Sequence, residues 1–149
     1  MKLIKYRFSV DADVAKKYPM HNVAFLVNVY LNDPHGWASK GYVFEEVHAN
    51  ENVFIRMSLP KTIHSACGDG NLSCAELGGK HMYLNAKRWI HGAAPSKLSL
   101  DNYRQYMVSH EIGHILGYDH AACPCVGCKA PIMMQQTLGI GSCKPNTKV

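Results

Sequence analysis

The feature that most restricts this chain is His110-Glu111-Ile112-Gly113-His114, followed at fixed spacing by Gly117 and His120. On a helix, positions i and i+4 share one face, so His110 and His114 present two imidazoles to the same point in space. That arrangement suits a zinc ion, which binds histidine nitrogen at about 2.0–2.1 Å. Glu111 follows the first histidine and leans toward the open side of such a metal instead of binding it. This is the place of a general base acting on a metal-bound water. A helix continuing through residue 120 would carry His120 away from the other two. Gly117 offers the left-handed conformation that stops a helix, and the chain then turns to bring His120 back as a third ligand. Three protein ligands leave one position open, the pattern of a catalytic zinc site and not of a sealed structural one.

The motif needs a helix ending at Gly117, and the residues before it provide one. Ser99 is a good N-cap and Asp101 places negative charge in the first turn. From there Leu100, Tyr103, Met107, His110, Glu111 and His114 share one broad helical face. Upstream, Leu3 to Val10 alternates as a strand does, and Val14 to Leu31 is apolar at helical spacing with a break at Pro19. Tyr42 to Val47 and Val53 to Leu59 read as strands, the second ended by Pro60. Ile63 to Lys80 reads as a long loop, His81 to Leu84 as a short strand, Ala93 to Lys97 as a loop, and the chain from Ala121 onward as irregular. Strand, helix, strands and helix in that order predict an α+β class.

The 149 residues suffice for one domain with a real core, and a 47% hydrophobic, 18% charged composition is that of a soluble globular protein. The net charge of +5 comes from scattered lysines and arginines with no basic run or stripe, which argues against a nucleic-acid partner. No segment is apolar for long enough to span a bilayer. Met1 to Val10 alternates like a strand and lacks the pattern of a signal peptide. The six cysteines point the other way, to an oxidising or extracellular setting. Compartment therefore stays open with a lean to a secreted or oxidising setting, and oligomeric state stays open as well.

Beyond the third histidine, Pro131-Ile132-Met133-Met134 completes a pattern that resembles the metzincin clan of zinc metallopeptidases. The resemblance implies that Met133, with Met134 as the alternative, forms a methionine turn beneath the metal. Read from residue type alone, Met133 is a gap-filling core methionine, and the two readings coincide. A closer similarity, to an uncharacterised family of exported bacterial zincins, covers most of the chain. It rests on Asp33-Pro34-His35-Gly36-Trp37, Cys67 with Cys74, Arg88-Trp89-Ile90-His91-Gly92, Tyr103-Arg104-Gln105-Tyr106, Ala130-Pro131-Ile132-Met133, Gln135-Gln136-Thr137, Cys143 and Pro145-Asn146. It implies a zincin-like domain over residues 1–149, a small mixed sheet packed on two main helices with an irregular C-terminal segment. Many metzincins also place a tyrosine just after the methionine turn to assist the oxyanion. No tyrosine follows Tyr118 here.

Two readings of the cysteines compete. In one, Cys123 pairs with Cys143, Cys125 with Cys128, and Cys67 with Cys74, although pairing does not follow from sequence. In the other, thiolates of the C-terminal cluster hold a second, structural zinc. Archaeal relatives of the metzincins carry such a zinc, but Ala121 stands where their cysteine follows the third histidine. His21, His35, His48, His64, His81 and His91 read as surface histidines, Asp69-Gly70-Asn71 as a tight turn between cysteines, and Trp37 and Trp89 as core anchors. The expected function is zinc-dependent hydrolysis of a peptide or protein substrate with Glu111 as general base. By family analogy an extended substrate adds to a sheet edge near His81 to Leu84. A zinc-stabilised binding protein and a small-amide hydrolase are the alternatives.

Overall fold

β1 (Lys2–Val10) is the strand around which the sheet assembles, because it pairs in parallel with β2 (Tyr42–Glu46) on one side and β3 (Val53–Ser58) on the other. The computed structural model describes residues 1–149. β3 pairs in parallel with β5 (His81–Asn85), and the two-residue β4 (Cys74–Ala75) closes the sheet antiparallel to β5, for a spatial order β2-β1-β3-β5-β4. Parallel neighbours require crossovers. Helices α1 (Ala12–Lys17) and α2 (Val23–Leu31) lie in the first and α3 (Pro60–Cys67) in the last, while α4 (Ala86–His91) and α5 (Leu100–Ile115) follow the sheet. The result is an α+β arrangement in which α5 packs against both α2 and β5. No helix is long and apolar enough to cross a membrane.

Several elements fall where the residues predict them. The segment Val14 to Leu31 is broken around Pro19 into α1 and α2. Ser99 caps α5, its Oγ accepting the Asn102 N–H at 3.3 Å, and Tyr30 donates its hydroxyl to Asp101 in the first turn. Trp37 and Trp89 are buried. Trp37 also anchors α5 directly, donating Nε1–H to the Ser109 carbonyl at 2.8 Å.

Three expectations need correction. Residues 63–80 are not one long loop. Pro60 does end β3, but it also opens α3, since proline lacks only an N–H that a first helical turn leaves unpaired. Gly68, at φ 93°, then ends α3. The face of α5 is also not one-sided. From Tyr106 to Ile115 every residue is buried, because the C-terminal segment covers the side that would otherwise meet water. Finally, the strand at His81 to Leu84 is not a sheet edge. β5 is paired along its length with β3 and is covered on its other side by β4 at Met82 and Tyr83. The edge is β4.

All six cysteines are paired, Cys67–Cys74, Cys123–Cys143 and Cys125–Cys128, so no thiolate is left for a second zinc. The bridge Cys123–Cys143 closes the longest loop, 20 residues in sequence separation, which restricts the unfolded chain by about 3 kcal/mol. It holds a segment with little regular structure. Asn146 reinforces that segment by exchanging two hydrogen bonds with the buried Gln136 side chain and donating to the Ala130 carbonyl at 2.9 Å.

Two small contacts fix the parts of the fold that meet at the cavity described below. The buried Asn85 side chain accepts the N–H groups of Lys87 and Arg88 at the start of α4. Its Nδ2 donates to the carbonyls of Gly70 and Leu72, at 2.9 and 3.2 Å. One amide thus joins β5, α4 and the loop that leads into β4. Gly113, inside α5, lies against Met133 of the C-terminal segment, and a Cβ there would also come within 2.9 Å of Trp37 Cζ2. A helix-interior glycine costs about 1 kcal/mol relative to alanine, a penalty that this close packing offsets.

Asn85→Ala should therefore lower stability by about 2–3 kcal/mol, the loss of a helix cap together with buried carbonyls left unpaired. An unchanged urea midpoint with disulfides intact would refute this. Gly113→Ala should gain helix propensity yet lose about 1–2 kcal/mol net through overpacking. Thermal unfolding of metal-free protein measures this without any contribution from ion binding, and an equal or higher melting temperature counts against the packing argument.

Candidate metal centre

The last turn of α5 and the turn after it are shaped by one stop signal. Gly117 takes φ 102°. Its N–H bonds to the His114 carbonyl at 2.9 Å and the Tyr118 N–H bonds to the Gly113 carbonyl at 3.0 Å, the pair of bonds that defines a Schellman ending. The chain reverses and His120 comes back over the helix. The Asp119 side chain accepts the His120 N–H at 2.7 Å and steadies the turn.

The structure brings His110, His114 and His120 together, with one ring nitrogen from each lying within 4.8 Å of the others. Backbone carbonyls orient two of the rings. His110 Nδ1 sits 2.8 Å from the Ile132 carbonyl and His114 Nδ1 sits 2.8 Å from the Tyr118 carbonyl. A carbonyl only accepts, so each Nδ1 carries the hydrogen and each Nε2 is left with a bare lone pair. Burial favours the uncharged form of both, lowering His110 to about 4 and His114 below the ordinary imidazole range. Neutral imidazoles are what a metal requires. His114 Nε2 and His120 Nε2 stand 3.1 Å apart, near the separation of about 3.3 Å expected for two nitrogens of a tetrahedral zinc. The donor set fits a zinc ion.

Glu111 is buried beside this cluster, and its Oε2 has no hydrogen-bond partner. Burial alone pushes its carboxyl up to about 8. A carboxylate in this position carries a desolvation cost of several kcal/mol, which an adjacent cation would relieve. Glu111 Oε1 lies 3.9 Å from His110 Nε2, on the side of the metal cluster and not turned into the core.

The histidines and Glu111 line a cavity of about 310 Å³. One wall runs from Cys67 to Ala75, including the half-buried terminal strand β4 and the Cys67–Cys74 bridge, and Gln135 and Thr137 belong to the opposite wall. The Cys67–Ala75 wall, here the upper one as against the lower wall of Gln135 and Thr137, is tied to the histidine cluster, because the Gly78 N–H just beyond it donates to the His114 carbonyl at 2.8 Å. Met133 is buried and lies under Gly113, whereas Met134 is only partly buried. Asp69 and Asn71 form a tight turn, the Asn71 N–H bonding Asp69 Oδ1 at 2.9 Å. The six histidines outside the motif are exposed.

Some residues that build the site were not anticipated. Asn85 holds the upper wall, yet a lone asparagine after a strand carries no special signal. Tyr106 lies tilted against His110 with ring centroids 5.2 Å apart and bonds the main chain of both Met134 and Gln136. Of these only Gly113 carries a signal that could have revealed it, since a glycine in the middle of a helix implies close packing.

The known proteins to which the chain is similar agree with this picture at the level of fold. Myroilysin superposes with a TM-score of 0.50 at 17% identity, over 80% of this chain and 49% of that one, so the chain spans about half of myroilysin's length. Archaemetzincin from Methanopyrus kandleri superposes with a TM-score of 0.55 at 14% identity, over 96% of this chain and 88% of that one. Both likenesses place the chain on a zincin-like fold. No curated protein matches its sequence. The family described as "Protein of unknown function (DUF3152)" matches residues 1–146, and the chain belongs to that family.

Proposed function

We propose that this chain is a zinc-dependent peptidase that cleaves internal peptide bonds, with His110, His114 and His120 as the ligands of one zinc and Glu111 as the general base. The observation that carries this reading is the unpartnered, buried Glu111 carboxyl beside three converging imidazoles. A purely structural metal site gains nothing from a costly buried glutamate. Zinc, when bound, would lower the pKa of a coordinated water and polarise a substrate carbonyl.

The chain's own residues do the rest. Glu111 accepts a proton from the attacking water as the new carbon–oxygen bond forms. It then passes that proton to the amide nitrogen as the carbon–nitrogen bond breaks, releasing a carboxylic acid and an amine. Ile132 and Tyr118 hold two ligand rings in a fixed tautomer through their carbonyls. Met133 supports the helix under the ligands from Gly113. The unpaired edge of β4 beside the cavity favours an extended peptide over a small amide, because a strand-like substrate can add its main-chain hydrogen bonds there. The kinship with exported bacterial zincins belongs to the same reading, and three disulfides fit an oxidising compartment.

The purified protein should bind one zinc and cleave members of a broad peptide library. Chelation should abolish cleavage and zinc should restore it. Glu111→Gln should keep the zinc and lose activity by about 10²–10⁴-fold. Full activity in Glu111→Gln, or a zinc-loaded parent that cleaves no peptide, would overturn the proposal.

A further inference from the structure

Attack on an amide places negative charge on the carbonyl oxygen, and protein donors aimed at that oxygen lower the barrier. The cavity offers few such donors, since no lysine or arginine lines it. Its neutral polar side chains are Ser73, Tyr103, Tyr106, Gln135 and Thr137. Most of these are already engaged. Ser73 Oγ accepts the Asn85 N–H at 2.9 Å and helps hold the upper wall, which leaves its own hydroxyl hydrogen free. Tyr106 donates its hydroxyl to the Met134 carbonyl at 3.1 Å and accepts the Gln136 N–H at 2.9 Å, so its proton is committed to the main chain. Tyr103 and Thr137 share a hydrogen bond at 2.8 Å.

Gln135 differs from all of them. Its backbone is fixed on both sides. Tyr106 grips the neighbouring Met134 carbonyl, the Gln135 carbonyl accepts the Leu138 N–H at 3.1 Å, and the Gln136 side chain is bonded to Asn146. Its own side-chain amide enters none of the hydrogen bonds that bind this wall together. Gln135 is half-buried, stands on a main chain held on both sides, and lines the cavity that also holds Glu111 and the three histidines, so its amide is a free donor at that cavity.

We propose that Gln135 is a catalytic residue of the hydrolysis proposed above, donating its Nε2–H to the substrate oxygen as that oxygen gains charge in the tetrahedral state. The assignment rests on the peptidase reading. A neutral amide suits the role, because it donates without a proton of its own to gain or lose, and Glu111 remains the one group that carries the transferred proton.

The test uses the zinc-loaded protein and a peptide substrate taken from the library above. Gln135→Met keeps the length of the side chain and removes the donor. It should reduce kcat by about 10²–10³-fold, the loss typical of one oxyanion donor. KM and zinc content should stay close to the parent's. Affinity for a phosphinic analogue of the same peptide should fall with kcat, whereas affinity for the cleaved product should not. Ser73→Ala and Thr137→Val are the counter-tests, because Ser73 and the Tyr103–Thr137 pair each have one hydroxyl hydrogen left over. A larger kcat loss in either of them than in Gln135→Met, a Gln135→Met rate within threefold (~0.6 kcal/mol) of the parent, or a loss confined to KM would each overturn the assignment while leaving the peptidase reading in place. A parent that cleaves nothing ends both.

Discussion

Two imidazole N–H groups donating to backbone carbonyls are the constraint on which the rest of this structure depends. His110 reaches the Ile132 carbonyl and His114 the Tyr118 carbonyl. Each bond joins α5 to a segment that comes after it, so helix, turn and C-terminal segment must be in place together. In isolation the bonds are modest, about 0.5–1.5 kcal/mol each. Breaking either leaves a buried polar group unpaired, and that asymmetry favours a single arrangement. The same bonds settle which nitrogen of each ring is free. The packing that buries the helix therefore also prepares the ligands.

Legibility of the site in the sequence followed its periodicity. His110 and His114 were readable because α-helical spacing converts two positions into one face. His120 was readable because a glycine with positive φ was required at 117. The strands β1, β2, β3 and β5 were likewise visible as alternating or β-rich runs. The elements α3 and β4 were not. α3 was hidden because Pro60 reads equally well as the end of a strand and the start of a helix. β4 was hidden because two residues carry no period. The edge of the sheet was misplaced for the same reason, since β5 becomes interior only once β4 is seen. The buried second half of α5 could not be foreseen from α5 itself, because its cover comes from the irregular residues after Ala121.

The fold also explains how a chain of this length builds a cavity with polar contents. The upper wall depends on one buried amide at Asn85 and one bridge between Cys67 and Cys74. The lower wall depends on the Gln136–Asn146 exchange and the Cys123–Cys143 bridge. Both walls are loops, and each is made rigid by local ties in place of secondary structure. Two of the three clustered histidines, His110 and His114, lie between them on the one long helix, the most thoroughly buried element of the molecule, and His120 lies on the turn after it.

The three disulfides have a mechanical consequence when taken together. Every bridge closes a loop within a single wall, and none crosses the cavity from one wall to the other. Each lip is therefore cross-linked within itself, and no covalent bridge sets the width of the gap between them. The upper lip is held to α5 by a hydrogen bond, Gly78 N–H to the His114 carbonyl, so oxidation ties up each lip and leaves their spacing to the packing around the helix.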